Sequence, residues 1–174
     1  MLETIQGAVL SLCLILGIGT PAASAETNTA PQTWQGRAVY VTDGDTITVR
    51  RTDDVNVIIR LYGIDAPEKA QNGGPEATEA VHNWLRANHW TVKIKELGKD
   101  RYGRTLAIIL NGCECDNLNK YLVAQGRAWT YERYCRDKTL CEELKRRQHY
   151  AQGNKNGLWA DPDPTPPWIW RKRH

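Results

Sequence analysis

The sequence predicts an α+β domain, mainly β: a five-stranded closed barrel of the OB type with about three helices packed against it. Short runs of alternating apolar residues recur on both sides of one helical stretch. An Asp-Gly turn joins the first two of these runs, a hairpin signal. Two further helical segments follow the last run. Period alone would give only a mixed domain; five short strands in antiparallel order, with a helix between the third and fourth, suit the barrel.

The fold is expected to begin near Trp34, after a polar Thr-, Ala- and Pro-containing leader over 26–33. From Gly36 to Arg51 the pairs Val39/Val41 and Ile47/Val49 flank the turn Asp43-Gly44-Asp45. Val55 to Tyr62 reads as the third strand, with Val57, Ile59 and Leu61 on one face. Pro75 opens a helix whose apolar positions Ala77, Val81, Trp84 and Leu85 recur at helical spacing, ending near Asn88. Strand patterns return at 90–94 and 105–110, separated by a charged turn from Gly98 to Arg104. Leu118, Tyr121 and Leu122 mark a short helix ended by Gly126. Thr139 with Glu142 three residues on predicts a capping box for a last helix through Leu144 and Ala151. The domain is placed at 34–160, followed over 161–174 by a Pro- and Trp-rich basic tail whose Arg171-Lys172-Arg173 end reads as a solvated segment with some nonspecific attraction for phosphate.

At 174 residues the chain has the size of one domain. Its 41% hydrophobic residues and seven Trp can supply a core, which excludes a disordered tail. A net charge of +3 is too small to argue affinity for nucleic acid from magnitude. The apolar run from Gly7 to Gly19 is short for a membrane span, and Ala23-Ser24-Ala25 has the small-x-small pattern of a cleavage site. Residues 1–25 are therefore expected to be a signal peptide, although the early segment carries Glu3 and no base; an uncleaved anchor and a misassigned start codon are the alternatives. Cleavage implies a secreted or periplasmic protein without stable membrane association; separately, a monomer is expected. Four cysteines then remain, Cys113, Cys115, Cys135 and Cys141, an even number suited to disulfides in an oxidising compartment. Their gaps of one and five residues fit zinc ribbons poorly. Three pairings are open, with Cys135 to Cys141 the favoured loop.

Three segments put acids and arginines on turns beside strands. In Val41-Thr42-Asp43-Gly44-Asp45-Thr46 the acids could equally be ordinary hairpin-turn residues. In Arg60-Leu61-Tyr62-Gly63-Ile64-Asp65-Ala66-Pro67-Glu68, Arg60 lies inside an apolar strand and needs an anionic partner, either a neighbouring acid or a ligand. The third is Asp100-Arg101-Tyr102-Gly103-Arg104, which taken alone is a solvated turn. His82, His89 and His149 read as solvent-facing or edge residues. The chain has no Gly-x-Ser-x-Gly, Gly-Lys-Ser/Thr or His-Glu-x-x-His pattern.

Taken together and in order, the three segments resemble the staphylococcal nuclease (thermonuclease) family, from about Gly36 through Gly157-Leu158-Trp159, and the Pro-Pro-Trp-Ile-Trp-Arg end is similar to that of many secreted bacterial members. The resemblance implies a secreted endonuclease that hydrolyses phosphodiester bonds in DNA, RNA or both. It assigns Asp45, Asp65 and the Ala66 carbonyl as ligands of one calcium ion; the best-studied members have Thr where this chain has Ala66. It makes Glu68 the residue that positions or deprotonates water, and Arg60 and Arg104 the phosphate clamp. Tyr102 would lie near the terminal phosphate, while Tyr131 and Tyr134 are offered for base stacking on a looser match. The connection Lys69 to Gly74 is shorter than the lysine-rich loop of some members, and the cysteines are a second departure.

The chemistry suits these residue types. Phosphodiester hydrolysis builds charge on nonbridging oxygens, which planar guanidinium forks and a hard cation stabilise. Carboxylates with a carbonyl and water suit calcium better than magnesium. The competing readings are a noncatalytic nucleic-acid-binding module of the same fold and a secreted structural barrel. Retention of Asp45, Asp65, Glu68, Arg60 and Arg104 argues against the first, and the placement of Arg60 in an apolar strand argues against the second.

Overall fold

The computed structural model describes residues 31–174; the expected signal peptide and most of the leader lie outside these residues. The strands are β1 (Thr33–Val41), β2 (Thr46–Arg51), β3 (Asn56–Leu61), β4 (Ile64–Asp65), β5 (Thr91–Lys99), β6 (Thr105–Asn111), β7 (Cys113–Asn117) and β8 (Trp129–Thr130). The helices are α1 (Gly74–Ala87), α2 (Leu118–Ala124), α3 (Lys138–Gly153) and α4 (Pro167–Arg173). The five longer strands are those the alternation predicts. In the sheet they run β3-β2-β1-β5-β6, with β7 added beyond β6. The barrel closes by a parallel pairing of β3 with β6, Arg60 opposite Leu106, so the antiparallel order expected from sequence holds everywhere in the barrel except at its seam. Closure leaves no open edge on either of those strands at the seam.

Ile47, Val49, Ile59, Leu61, Ile94 and Ile109 fill the interior, each at most 1% exposed. Removing such a side chain to Ala costs about 2–5 kcal/mol. Between Ala38 and Tyr40 the register of β1 against β2 shifts by a bulge. Ala38 and Val41 therefore face the core while Val39 is exposed, contrary to the simple alternation. α1 begins as Pro75 predicts and buries Ala77, Val81, Trp84 and Leu85. The N-cap of α3 is Asp137, whose carboxylate accepts from the Leu140 N–H at 3.1 Å; Thr139 lies inside the helix, so the expected capping box does not form. On α2 the buried Asn119 amide accepts from Ile109 N–H and donates to the Tyr62 carbonyl at 2.8 Å, tying the helix to both sides of the barrel seam.

The tail differs most from expectation. Residues 167–173 form α4, a fourth helix with Pro167 at its start. Pro167 is buried, Trp168 stacks on Tyr131 with ring centroids 5.3 Å apart, and Trp168 also meets the edge of Trp129 at 5.7 Å. Cys135 and Cys141 form the favoured disulfide, and Cys115 is also disulfide-bonded.

Candidate active site

Three short backbone devices bring the first acids and arginine together. Thr46 at the start of β2 pairs with Arg60 on β3, and the Leu61 N–H donates to the Asp45 carbonyl at 2.8 Å. Asp45 thus sits beside Arg60 across the hairpin. A Cβ on Gly44 would come within 2.7 Å of Ala77 and 2.8 Å of Ala66, so only glycine lets this turn press against α1 and the chain after β4. Gly63 adopts a φ of 77°, the left-handed turn that reverses β3 into β4 and brings Asp65 back under Arg60.

The result is a buried ion cluster. Asp45 is 6% exposed and Asp65 only 1%. Arg60 reaches Asp45 Oδ2 through Nη1 at 3.0 Å and Asp65 Oδ1 through Nη2 at 2.8 Å, and its Nη1 also donates to the carbonyls of Leu61 and Ile64, each at 3.1 Å. The strand-borne arginine therefore has not one anionic partner but two. Asp45 accepts from the Ala66 N–H at 2.8 Å and from the Thr46 hydroxyl at 3.1 Å. Burial nevertheless pushes its carboxyl up to about 7, against the opposing pull of Arg60. One guanidinium between two buried carboxylates leaves the centre short of positive charge.

Glu68 follows on the loop after β4, its N–H donating to Gln71 Oε1 at 3.2 Å and its side chain 34% exposed. The turn between β5 and β6 supplies Arg104, which donates from Nε to Asp100 Oδ2 at 2.7 Å and points Nη1 towards the Thr46 hydroxyl at 3.4 Å, next to Asp45. Burial favours the neutral form of Asp100, but the Arg104 side chain and the N–H groups of Tyr102 and Arg104 outweigh it and hold the carboxyl below its usual range. Tyr102 is exposed, with the guanidinium groups of Arg101 and Arg104 near its ring. Asp45, Arg60, Asp65, Ala66, Glu68 and Arg104 are thus gathered in one region. Tyr131 donates its N–H to the Gly63 carbonyl at 2.8 Å, and its ring packs against Tyr134 and Trp168.

One residue of the cluster comes from a segment read as solvated tail. Arg171 of α4 donates from Nη2 to Asp65 Oδ2 at 2.7 Å, from Nη1 to Asp65 Oδ1 at 3.2 Å, and from Nη1 to Glu68 Oε1 at 2.7 Å. These hydrogen bonds, that to Asp65 foremost, hold it still more firmly protonated. The sequence did carry a signal for an ordered tail: Pro167 at a helix start followed by two tryptophans.

Asp45, Asp65 and Glu68 offer only hard oxygen donors, and when all three are ionised they exceed the charge of Arg60 alone by two, a set that fits a divalent hard cation. Among the described residues no three acidic, His or Cys side chains converge as a ready cage; guanidinium groups stand between the acids instead.

Fold and site together define a class: an OB-type barrel carrying a buried acid–arginine centre at the start of β2, on β3 and on the adjoining β4, with a second arginine on a neighbouring turn. The family model described as staphylococcal nuclease homologue matches residues 58–161. Among curated proteins, an "uncharacterized endonuclease" of Escherichia coli O157:H7 is 42% identical over 79% of this chain and 85% of its own. A protein of the same description from Haemophilus influenzae is 36% identical over 94% and 83%. A "micrococcal nuclease" of Shigella flexneri is 32% identical over 80% and 81%. The chain belongs to the staphylococcal nuclease family.

Proposed function

We propose that this protein is an exported endonuclease that hydrolyses phosphodiester bonds in DNA, RNA or both, with one calcium ion held by Asp45, Asp65 and the Ala66 carbonyl. The single observation that carries the reading is the buried pairing of Arg60 with both Asp45 and Asp65, with Glu68 three residues further on. A structural barrel has no reason to bury two acids on one arginine, because the desolvation cost exceeds what the pair returns. A noncatalytic binder would need the positive surface but not Glu68. The nuclease names of the relatives support the same reaction class.

The bound cation would polarise the phosphoryl oxygen and offset its developing charge. Arg104, on a turn and tied by Asp100, aims a planar fork at the same phosphate. Arg60 fixes the two ligand carboxylates and offers its remaining hydrogen-bonding capacity to the substrate. Glu68, partly exposed, is placed to orient a water and take its proton. Tyr102, exposed beside Arg104, would contact a terminal phosphate, and Tyr131 would contribute stacking only from its free edge, because Trp168 covers one face. Export is supported by the apolar run and the Ala23-Ser24-Ala25 pattern. Among the described residues no helix is long and apolar enough to cross a membrane, and a single chain carries every residue named.

The test is incubation of the exported form with single-stranded DNA and with RNA, in calcium, in magnesium and in chelator. Calcium-dependent cutting that stops in chelator is expected. Binding without cutting under every condition would leave a nucleic-acid-binding module.

A further inference from the structure

Arg171 stands where a cation belongs. Its fork takes Asp65 Oδ2 and, together with Arg60, Asp65 Oδ1, so three of the roughly four acceptor positions of that carboxylate are filled. The same guanidinium holds Glu68 Oε1 at 2.7 Å. A divalent ion bound to Asp65 at the usual distance of about 2.3–2.6 Å would lie against these nitrogens, with like charges in contact. The charge balance agrees: with all three carboxyls ionised, as a bound cation would favour, and without Arg171, the set of Asp45, Asp65, Glu68 and Arg60 carries −2, the complement of one divalent ion.

The placement of the arginine is built into the fold. Trp168, three residues earlier, is stacked on Tyr131 and set against Trp129. The Thr165 carbonyl accepts from Gln71 Nε2 at 2.7 Å, and Gln71 is itself hydrogen-bonded through its N–H and its side-chain oxygen to the backbone of Glu68. The strap and the Glu68 loop therefore form one unit. The Arg171 side chain itself is 40% exposed, and its long stem can carry the charged head into water while α4 stays docked.

We propose that Arg171 is a tethered cation that closes the acid centre of the metal-free protein and swings out when a divalent cation binds, so that α4 sets the cation affinity of the site. The proposal rests on the reading that Asp45 and Asp65 hold that cation. Because only the unlatched fraction binds, a latch closed about 90–99% of the time weakens apparent affinity by roughly 10- to 100-fold.

Calorimetric calcium titration of the full chain without substrate tests it, comparing the parent protein with Arg171→Ala, Arg171→Lys and Lys172→Ala. Arg171→Ala should bind calcium roughly 10- to 100-fold more tightly. Arg171→Lys, which keeps charge but not the fork, should fall between, and Lys172→Ala should match the parent. In nitrogen-labelled parent protein the Arg171 guanidinium signal, assigned by its loss in Arg171→Ala, should move to a solvent-exposed position at calcium saturation. Unchanged or weaker affinity in Arg171→Ala would make the arginine a prop for the carboxylates and overturn the latch. Equal tightening by Lys172→Ala would reduce the effect to net charge and overturn it too. Calcium binding by none of the four proteins would reject the cation reading itself, and the latch with it.

Discussion

Arg60 and Arg104 are the two arginines of the proposed phosphate clamp, yet the fold treats them differently. Arg60 lies on β3 at the barrel seam, its side chain 12% exposed, with two carboxylates and two backbone carbonyls around its guanidinium. Arg104 ends a surface turn, 31% exposed, paired with the Asp100 carboxylate and with a long reach to the Thr46 hydroxyl. Arg60 is as much a structural counter-ion as a ligand for substrate. Arg104 keeps most of its donors for whatever arrives. Equal chemistry in a sequence motif therefore does not mean equal burial, and burial decides whether a substitution is read out in stability or in turnover.

The largest effect should come from breaking the buried half. Arg60→Ala leaves Asp45 and Asp65 without their shared partner and should cost about 3–5 kcal/mol of stability in urea denaturation, whereas Arg104→Ala should cost less than about 1 kcal/mol. Similar losses from the two would erase the contrast.

Next come the partly exposed groups, where turnover should fall and stability should not. Arg104→Lys and Glu68→Gln should each slow cleavage by roughly 100-fold, the scale of a lost charge-stabilising donor or general base. Both should unfold within about 0.5 kcal/mol of the parent, and Glu68→Gln should retain most of its calcium binding by calorimetry. Near-normal turnover in both variants would remove the catalytic assignment.

A third change sharpens the contrast by loosening one side only. A side chain on Gly63, in the turn between Arg60 and Asp65, would meet Cys135 Sγ at 3.1 Å, so the Cys135–Cys141 bridge packs under the buried half of the site. Replacing both cysteines with Ser should cost about 2 kcal/mol through the closed loop, and hydrogen exchange should rise at 61–65 while the turn at 100–104 keeps its protection.

The smallest effect is the pH dependence that the exposed half contributes through Asp100. The Asp100 carboxyl is depressed in the folded state, so its contribution to stability is present above the ordinary carboxylate value of about 4 and is lost as pH falls through the lower folded value. The stability gap between the parent and Asp100→Asn should be constant from pH 7 to about 5 and close below about 4. A gap that widens on acidification would show that Arg104 does not hold Asp100 as the geometry requires.

How much of this was legible depended on chain separation. Asp45, Arg60, Asp65 and Glu68 fall within one hairpin, one strand and the turn after it, where register alone brings them together; period and turn residues are enough to place such neighbours. The five barrel strands and α1 were readable for the same local reason, since each carries its own apolar period. The parallel seam between β3 and β6 was not, because pairing direction at closure depends on how the whole sheet coils. The exposure of Val39 turned on a bulge set by β2, and the cap of α3 on which of two nearby side chains, Asp137 or Thr139, the chain path leaves outside the helix.

By itself, then, the sequence determined the strand alternation, the first helix, the three acid–arginine segments and the family they belong to, all properties of residues close along the chain. Only the tertiary structure decided that Arg60 serves two acids at once, that Tyr131 gives one face to Trp168, and that Arg171 enters the site. Arg171 lies 106 residues from Asp65 and 103 from Glu68, and no periodicity spans that distance. What joins them is the burial of Pro167 and the packing of Trp168 on Tyr131 and Trp129, nonlocal packing whose free energy exists only once β8 and the residues after it have formed a surface to receive it.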